Sequence, residues 1–269
     1  MKKVAVVSLI DEHERRQHID SLFDAYNLDF NYFNAINKSQ VEDTLQKHGL
    51  SVRSERMSAG EVACYLSHYC LWQQVIEHKL PYLMVFEDDI YFSKSAKTLL
   101  NNLDWLPNGF DVIKLETMHG RVMINKGIDI MLDHKLCHMK SSHMGMAGYI
   151  ISQKGAKKLV TMIQRLGLDR PVDHIMFDRL IEQKASKVYQ VSPALCIQDK
   201  IYNEQSTRFG SCLEEERQAR PVIKVKLSAQ QKINRELMRL WTQMQLVNFS
   251  RSLLLTVGGY KKQKIEYKE

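Results

Sequence analysis

No run in this chain approaches the roughly 18 to 20 consecutive apolar residues of a membrane-spanning helix. The first hydrophobic stretch, 4–10, is closed at once by Asp11-Glu12-His13-Glu14-Arg15-Arg16, and no small-residue cleavage site follows it. A buried strand fits those residues better than a secretory signal, so a soluble or peripheral, cytoplasmic protein is expected. Cysteine is sparse as well. Cys64, Cys70, Cys137, Cys196 and Cys212 are odd in number and include no CxxC pair, which argues against a disulfide framework or a cysteine zinc cage and for reduced thiols. Only 5 prolines and 12 glycines occur in 269 residues, too few for a collagen-like or low-complexity chain. The 44% hydrophobic fraction is that of a globular protein able to bury a sizeable core.

What the chain has in excess is positive charge, and it has it in one place. The formal net charge is +7. Up to Glu216 there are 26 basic and 28 acidic residues, whereas the 53 residues after it hold 12 basic and 3 acidic ones. The break between residues 214 and 220 is the one boundary signal. It predicts a near-neutral main domain over 1–212 and a basic, largely helical extension over 213–269.

Residues 4–9 read as a strand, 12–26 as a charged helix and 28–33 as an alternating strand, a βαβ opening that predicts an α/β protein with a mostly parallel sheet. Ser58-Ala-Gly-Glu61 has the form of a capping box, in which Ser58 and Glu61 satisfy each other's free backbone N–H groups. It predicts a helix through His78, with Val62, Leu66, Tyr69, Trp72 and Ile76 on its buried face. Residues 82–86 are continuously apolar and predict a central strand. Segments 111–116 and 148–151 predict two more, the second leading into a helix over 152–159. Pro171 stands where a helix starts, with Asp173 and Asp178 inside it. Residues 187–191 are expected to be the last strand, and 260–269 to fray.

Glu87, Asp88 and Asp89 follow the apolar strand directly. Like charges at a partly desolvated strand end raise one another's pKa, a divalent cation removes that cost, and carboxylate oxygens select Mg2+ or Mn2+ over zinc. Ligands of open α/β sheets also gather outside the carboxyl ends of the strands. The plain alternative is a solvated acidic turn, and the uninterrupted apolar strand before it favours the site. Asp173 is either a reacting carboxylate or, as is commoner at a helix start, an acid complementing the helix dipole. His68 shares a helix face with Cys64 and Trp72, where a satisfied core histidine is the ordinary case. Lys114 either reaches a phosphate or balances Glu116. Arg15 and Arg16 either pair with a diphosphate or are solvated. Gly145 and Gly148 mark either a close approach of backbone to a ligand or a tight turn. His138 and His143 are weaker metal or substrate contacts, and Gln198 and Ser206-Thr207 lie where a late loop would close.

Five segments, in order, resemble glycosyltransferase family 25, the lipooligosaccharide biosynthesis glycosyltransferases of Gram-negative bacteria. They are Val7-Ser-Leu9 with Arg15-Arg16, Gly60-Glu-Val-Ala-Cys-Tyr-Leu-Ser-His68, Phe86-Glu-Asp-Asp-Ile90, Gly148-Tyr-Ile-Ile-Ser-Gln-Lys-Gly-Ala156 and Pro171-Val-Asp173. The likeness covers residues 1–210; any one segment is weak and the ordered set is specific. Ser8 departs from a usual Asn and Ala63 from a usual Gly. The resemblance implies a GT-A-type fold, a Rossmann-like mixed sheet flanked by helices, to which the tail adds a basic helical extension. It also implies an inverting transfer of a hexose, galactose before glucose, from a UDP-sugar to a lipooligosaccharide or lipopolysaccharide core acceptor. In that setting Glu87 and Asp89 hold the metal, Mn2+ before Mg2+, and Asp173 is the base. Ser8, Leu9, Arg15, His68, Asp88, Lys114 and Gly148 then form the donor site.

In the tail, Leu237, Trp241 and Met244 recur at helical spacing and predict an amphipathic helix over 228–248. It either lies on an anionic membrane, where a lipid-linked acceptor would be met at the inner membrane's cytoplasmic face, or packs on the body with its charges solvated. Two other activities fit less well. One is a metal-dependent phosphoesterase built on the same acids. The other is nucleic-acid binding through the basic tail, which a near-neutral body and a single tail Trp disfavour, so no nucleic-acid partner is expected.

Overall fold

Residues 4–8 carry no charge and have no exposed face, which suits only a strand inside a sheet covered on both sides. The computed structural model describes residues 2–118, 120–203, 208–209 and 256–269. In chain order the elements are β1 (Val4–Ser8), α1 (His13–Ala25), β2 (Asn31–Asn34), α2 (Val41–His48), α3 (Ala59–Glu77), β3 (Tyr82–Glu87), β4 (Ile90–Phe92), α4 (Ala96–Asn101), β5 (Val112–Lys114), β6 (Arg121–Asn125), β7 (Ile128–Asp129), β8 (Lys135–His138), β9 (Gly148–Ser152), α5 (Gln153–Leu166), α6 (Val172–His174), α7 (Leu180–Glu182), β10 (Val188–Ser192), β11 (Cys196–Gln198), α8 (Asp199–Tyr202) and β12 (Tyr260–Lys264).

Eight strands form one sheet in the order β2-β1-β3-β9-β5-β10-β8-β7. The pairs β1–β2, β1–β3 and β5–β10 are parallel, and the rest are antiparallel. The sheet is therefore mixed and flanked by helices, as the resemblance implies, and less parallel than the βαβ opening suggests. The βαβ opening speaks only for β1, β2 and β3. β9 enters between β3 and β5 against both, and β8 runs against β10, pairings between distant segments that local periodicity does not encode.

Alternate strand residues enter two cores on opposite faces. Ala5, Val7, Leu83, Val85, Tyr149 and Ile151 pack with α3 and α5 on one face. Val4, Val6, Met84, Phe86 and Ile150 pack with α1 and α4 on the other. The capping box that opens α3 is formed, with Glu61 N donating to Ser58 Oγ at 3.1 Å and Ser58 N to Glu61 Oε2 at 2.9 Å. Beyond Pro171 the expected helix forms over 172–182, with a π-helical turn, Ile175–Arg179, between α6 and α7.

Residues 187–191 do form a strand, but it is not the last. β11 pairs with β4, and β12 runs antiparallel to β6 from Tyr260 opposite Asn125 to Lys264 opposite Arg121. Ile265 is fully buried, Thr117 Oγ1 donates to its carbonyl at 2.7 Å, and Ala194 N donates to the Glu266 carbonyl at 2.8 Å. The expectation that 260–269 fray is thus wrong. One apolar residue among charges leaves no periodicity to read, while ladder hydrogen bonds accept any side chain. Of the extension predicted to be helical, 256–269 contribute a strand. The amphipathic stretch 228–248, Cys212 and Ser206-Thr207 lie outside the described residues. Among the described residues no helix is long and apolar enough to cross a membrane.

Candidate functional site

The apolar run of β3 ends by pushing Glu87, Asp88 and Asp89 out at its carboxyl end, and the tight turn into β4 keeps all three at one mouth. They line a cleft of about 920 Å3. Ser8 and Leu9, at the end of the neighbouring parallel strand β1, line it too, as do Arg15 from α1 and Asp173 from α6. Arg16 holds the β1 end in place. Its guanidinium donates to the carbonyls of Ser8 and Leu9, each at 3.1 Å, and to Asn34 Oδ1 at 2.7 Å, with Tyr32 beneath it. Of the two adjacent arginines, Arg16 is therefore built into the loop and Arg15 faces the cleft.

The three acids are unequally compensated. Arg15 Nη1 donates to Asp88 Oδ1 at 2.8 Å. Glu87 and Asp89 instead share one neutral amide: Gln198 Nε2 lies 2.9 Å from Glu87 Oε2 and 3.2 and 3.3 Å from the Asp89 oxygens. Burial, and then the charge of Glu87, push the Asp89 carboxyl up to about 7. A buried and a half-buried carboxylate with an amide as their shared partner fit a hard divalent cation, whose charge would offset both burial and repulsion. Lys200, on α8, also lines this cleft and acts electrostatically on Glu87.

Asp173 stands in the first turn of the helix that Pro171 opens. Its Oδ2 accepts from Gly145 N at 3.2 Å and its Oδ1 from His174 N at 2.9 Å, so two backbone donors fix the plane of the carboxylate. Gly145 has φ +93°, and a Cβ there would lie 2.8 Å from Glu116 Oε1, so this contact needs glycine.

A family model described as glycosyltransferase family 25 (LPS biosynthesis protein) matches residues 1–176. The chain belongs to glycosyltransferase family 25. A putative glycosyltransferase of Haemophilus influenzae is 35% identical over 215 residues, covering 79% of this chain and 75% of that one. The lipooligosaccharide biosynthesis protein lex-1 of the same organism is 32% identical over 264 residues, covering 86% and 87%. The lacto-N-neotetraose biosynthesis glycosyltransferase LgtE of Neisseria gonorrhoeae is 34% identical over 227 residues, covering 79% and 81%.

In this family 25 glycosyltransferase three expected donor contacts, Lys114, Gly148 and His68, do not line the cleft. Lys114 is fully buried; its Nζ donates to Glu116 Oε1 at 2.8 Å and to the carbonyls of Met144 and Gly145, with the Phe177 ring beneath it. It balances Glu116 and clamps the loop that carries Gly145, with no donor left for a phosphate. Gly148 is small because the sheet is crowded there: a Cβ would lie 2.3 Å from Cys196 Sγ and 3.3 Å from Phe86. His68 is fully buried, with Nδ1 2.8 Å from Tyr149 Oη, which also accepts from Trp72 Nε1 at 3.0 Å. It faces the site through Glu87, whose Oε1 is 3.6 Å from Nε2. His138 Nδ1 meets Tyr260 Oη at 2.9 Å, outside the cleft lining.

His143 is likewise structural, with Nδ1 2.9 Å from Gln190 Oε1. Burial, and then the charge of Lys114, push its pKa down to about 4 from 6.5. Between those values the unfolded chain takes up a proton that the folded ring refuses, so stability falls as pH falls through this window. The full difference is about 3 kcal/mol. Urea unfolding of the family 25 enzyme at pH 7, 5.5 and 4 is expected to show this slope and His143→Asn to flatten it; an unchanged slope in the variant would refute the assignment.

Proposed function

We propose that the enzyme transfers a hexose, galactose before glucose, from a UDP-sugar to a lipooligosaccharide core acceptor with inversion at the anomeric carbon. The observation that carries this is the placing of the Glu87–Asp89 pair and Asp173 in one cleft. The name of the relative lex-1, a lipooligosaccharide biosynthesis protein, supports lipooligosaccharide as the acceptor class. Asp173, held by two backbone N–H groups, takes the proton of the acceptor hydroxyl as its oxygen bonds to the anomeric carbon and the bond to the diphosphate breaks. Glu87 and Asp89 would hold the cation, Mn2+ before Mg2+, and Asp88 turns instead to Arg15. When bound, that cation supplies Lewis-acid charge for the departing diphosphate. Ser8, Leu9 and Arg15 contact the donor in this reading. The basic stretch after Glu216 would hold the enzyme on the anionic cytoplasmic face of the inner membrane, where a lipid-linked acceptor lies.

A panel of UDP-sugars with a core oligosaccharide acceptor and Mn2+ tests the reading. UDP-galactose is expected to be the best donor, and chelation to stop transfer. Phosphate-ester hydrolysis without sugar transfer would instead favour a phosphoesterase, and a panel in which no UDP-sugar is bound or turned over sinks the proposal.

A further inference from the structure

Cys64 and His68 stand one turn apart on α3, and Glu87 ends β3 beside them. Cys64 Sγ, a ring nitrogen of His68 and a carboxylate oxygen of Glu87 all lie within 4.8 Å of one another. His68 Nε2 is fully buried and has no hydrogen-bond partner; at 3.6 Å, Glu87 Oε1 is beyond hydrogen-bonding distance. A buried nitrogen without a hydrogen bond is costly to desolvate. Yet the other side of the same ring is carefully held, by Tyr149 Oη and behind it Trp72 Nε1. A histidine oriented through one nitrogen, with the other facing a carboxylate beyond hydrogen-bonding distance, has the arrangement of a metal ligand and its outer support.

The separations and donor types agree. Ligand atoms bound tetrahedrally at about 2.0 to 2.3 Å stand roughly 3.3 to 3.8 Å apart, close to the spacing of His68 Nε2 and Glu87 Oε1. A thiolate, an imidazole and one carboxylate suit Zn2+ and not the hard cations that Glu87 and Asp89 suit. Glu87 has an oxygen for each purpose, since Oε2 faces Gln198 while Oε1 faces His68. Cys64 and Glu87 both line the cleft, which leaves an open fourth position for water.

We propose that Cys64, His68 and Glu87 form a Zn2+ site behind the acidic pair. On binding, Zn2+ bonds to Sγ, Nε2 and Oε1, the Cys64 thiol proton passes to solvent, and the imidazole binds as its neutral tautomer with the proton on Nδ1. Zn2+ at this site takes Glu87 Oε1 and draws on the charge that Glu87 would give to a cation beside Asp89, and so slows sugar transfer; that consequence rests on the donor reading above, and the site itself does not.

Co2+ added to the full-length protein is the probe. A thiolate-to-cobalt charge-transfer band is expected in the near ultraviolet, displaced by Zn2+ and absent in Cys64→Ser. It should persist in Asp89→Asn, and in Cys70→Ser, whose thiol lies 3.7 Å from His48 Nε2. Calorimetric Zn2+ affinity should fall about tenfold or more in His68→Gln and in Trp72→Phe, the second a milder change that leaves all three ligands in place. No band in the wild type, a band that survives Cys64→Ser, or one lost in Asp89→Asn overturns the proposal. Failure of sugar transfer would leave the cobalt band untouched, so the two readings fail separately.

Discussion

Asp173→Asn is expected to lower sugar transfer by about 10^2- to 10^4-fold, the range of a lost general base, while donor affinity stays near wild type. The change keeps the shape of the side chain and removes its capacity to accept a proton at neutral pH. It also turns one accepting oxygen into a donor. Because both oxygens of Asp173 already accept from backbone, at Gly145 N and His174 N, one of these contacts becomes donor against donor. A modest loss of thermal stability should therefore accompany the loss of rate. Single-turnover transfer, donor titration and thermal unfolding on the same preparation separate the two effects. Transfer near the wild-type rate would mean that another group is the base.

Asp89→Asn is expected to separate activity from stability in the opposite sense. With the carboxylate gone, cation binding at the Glu87–Asp89 pair weakens. Several kcal/mol of charge stabilisation in the transition state are lost, which is on the order of 10^2- to 10^3-fold or more in rate. The folded protein, however, loses a buried like-charge repulsion. Asp89 is the acid whose carboxyl burial and Glu87 drive up to about 7, and an amide there escapes both penalties. The melting temperature without added metal should stay level or rise while transfer collapses. A variant that loses transfer and melting temperature together would point to damaged folding and against a ligand role.

Both residues could be read from the chain before any fold was known, for definite reasons. An apolar strand that stops at three acids states where its carboxyl end is, and Pro171 two residues before Asp173 states where a helix begins. The capping box at Ser58 was legible in the same way, because its two partners lie three residues apart. What stayed hidden depends on contacts between distant segments. Lys114 alternates correctly in its strand, and nothing nearby says that Glu116 and two loop carbonyls surround it. Gly148 looked like a ligand approach because crowding by Cys196, 48 residues further on, has no local signature. Gln198, expected in a closing loop but placed on β11, and Lys200 come to the acids because β11 pairs with β4, a match between short strands more than a hundred residues apart. Cys64, His68 and Glu87 escape a search for cysteine pairs because their third member comes from another element.

The docking of β12 alters what the basic stretch is. Phe209, whose N–H donates to Asp199 Oδ2, and Tyr260 are both fastened to the body, so the residues between them form an insertion with two fixed ends and not a free tail. Cutting the chain after Glu216 would therefore remove Ile265 from the core and strip β6 of its partner, exposing an open strand edge of the kind that invites aggregation. Loss of membrane association in such a truncation would report misfolding. Neutralising Lys224, Lys226, Arg235 and Arg239 leaves both anchors in place and asks the electrostatic question alone.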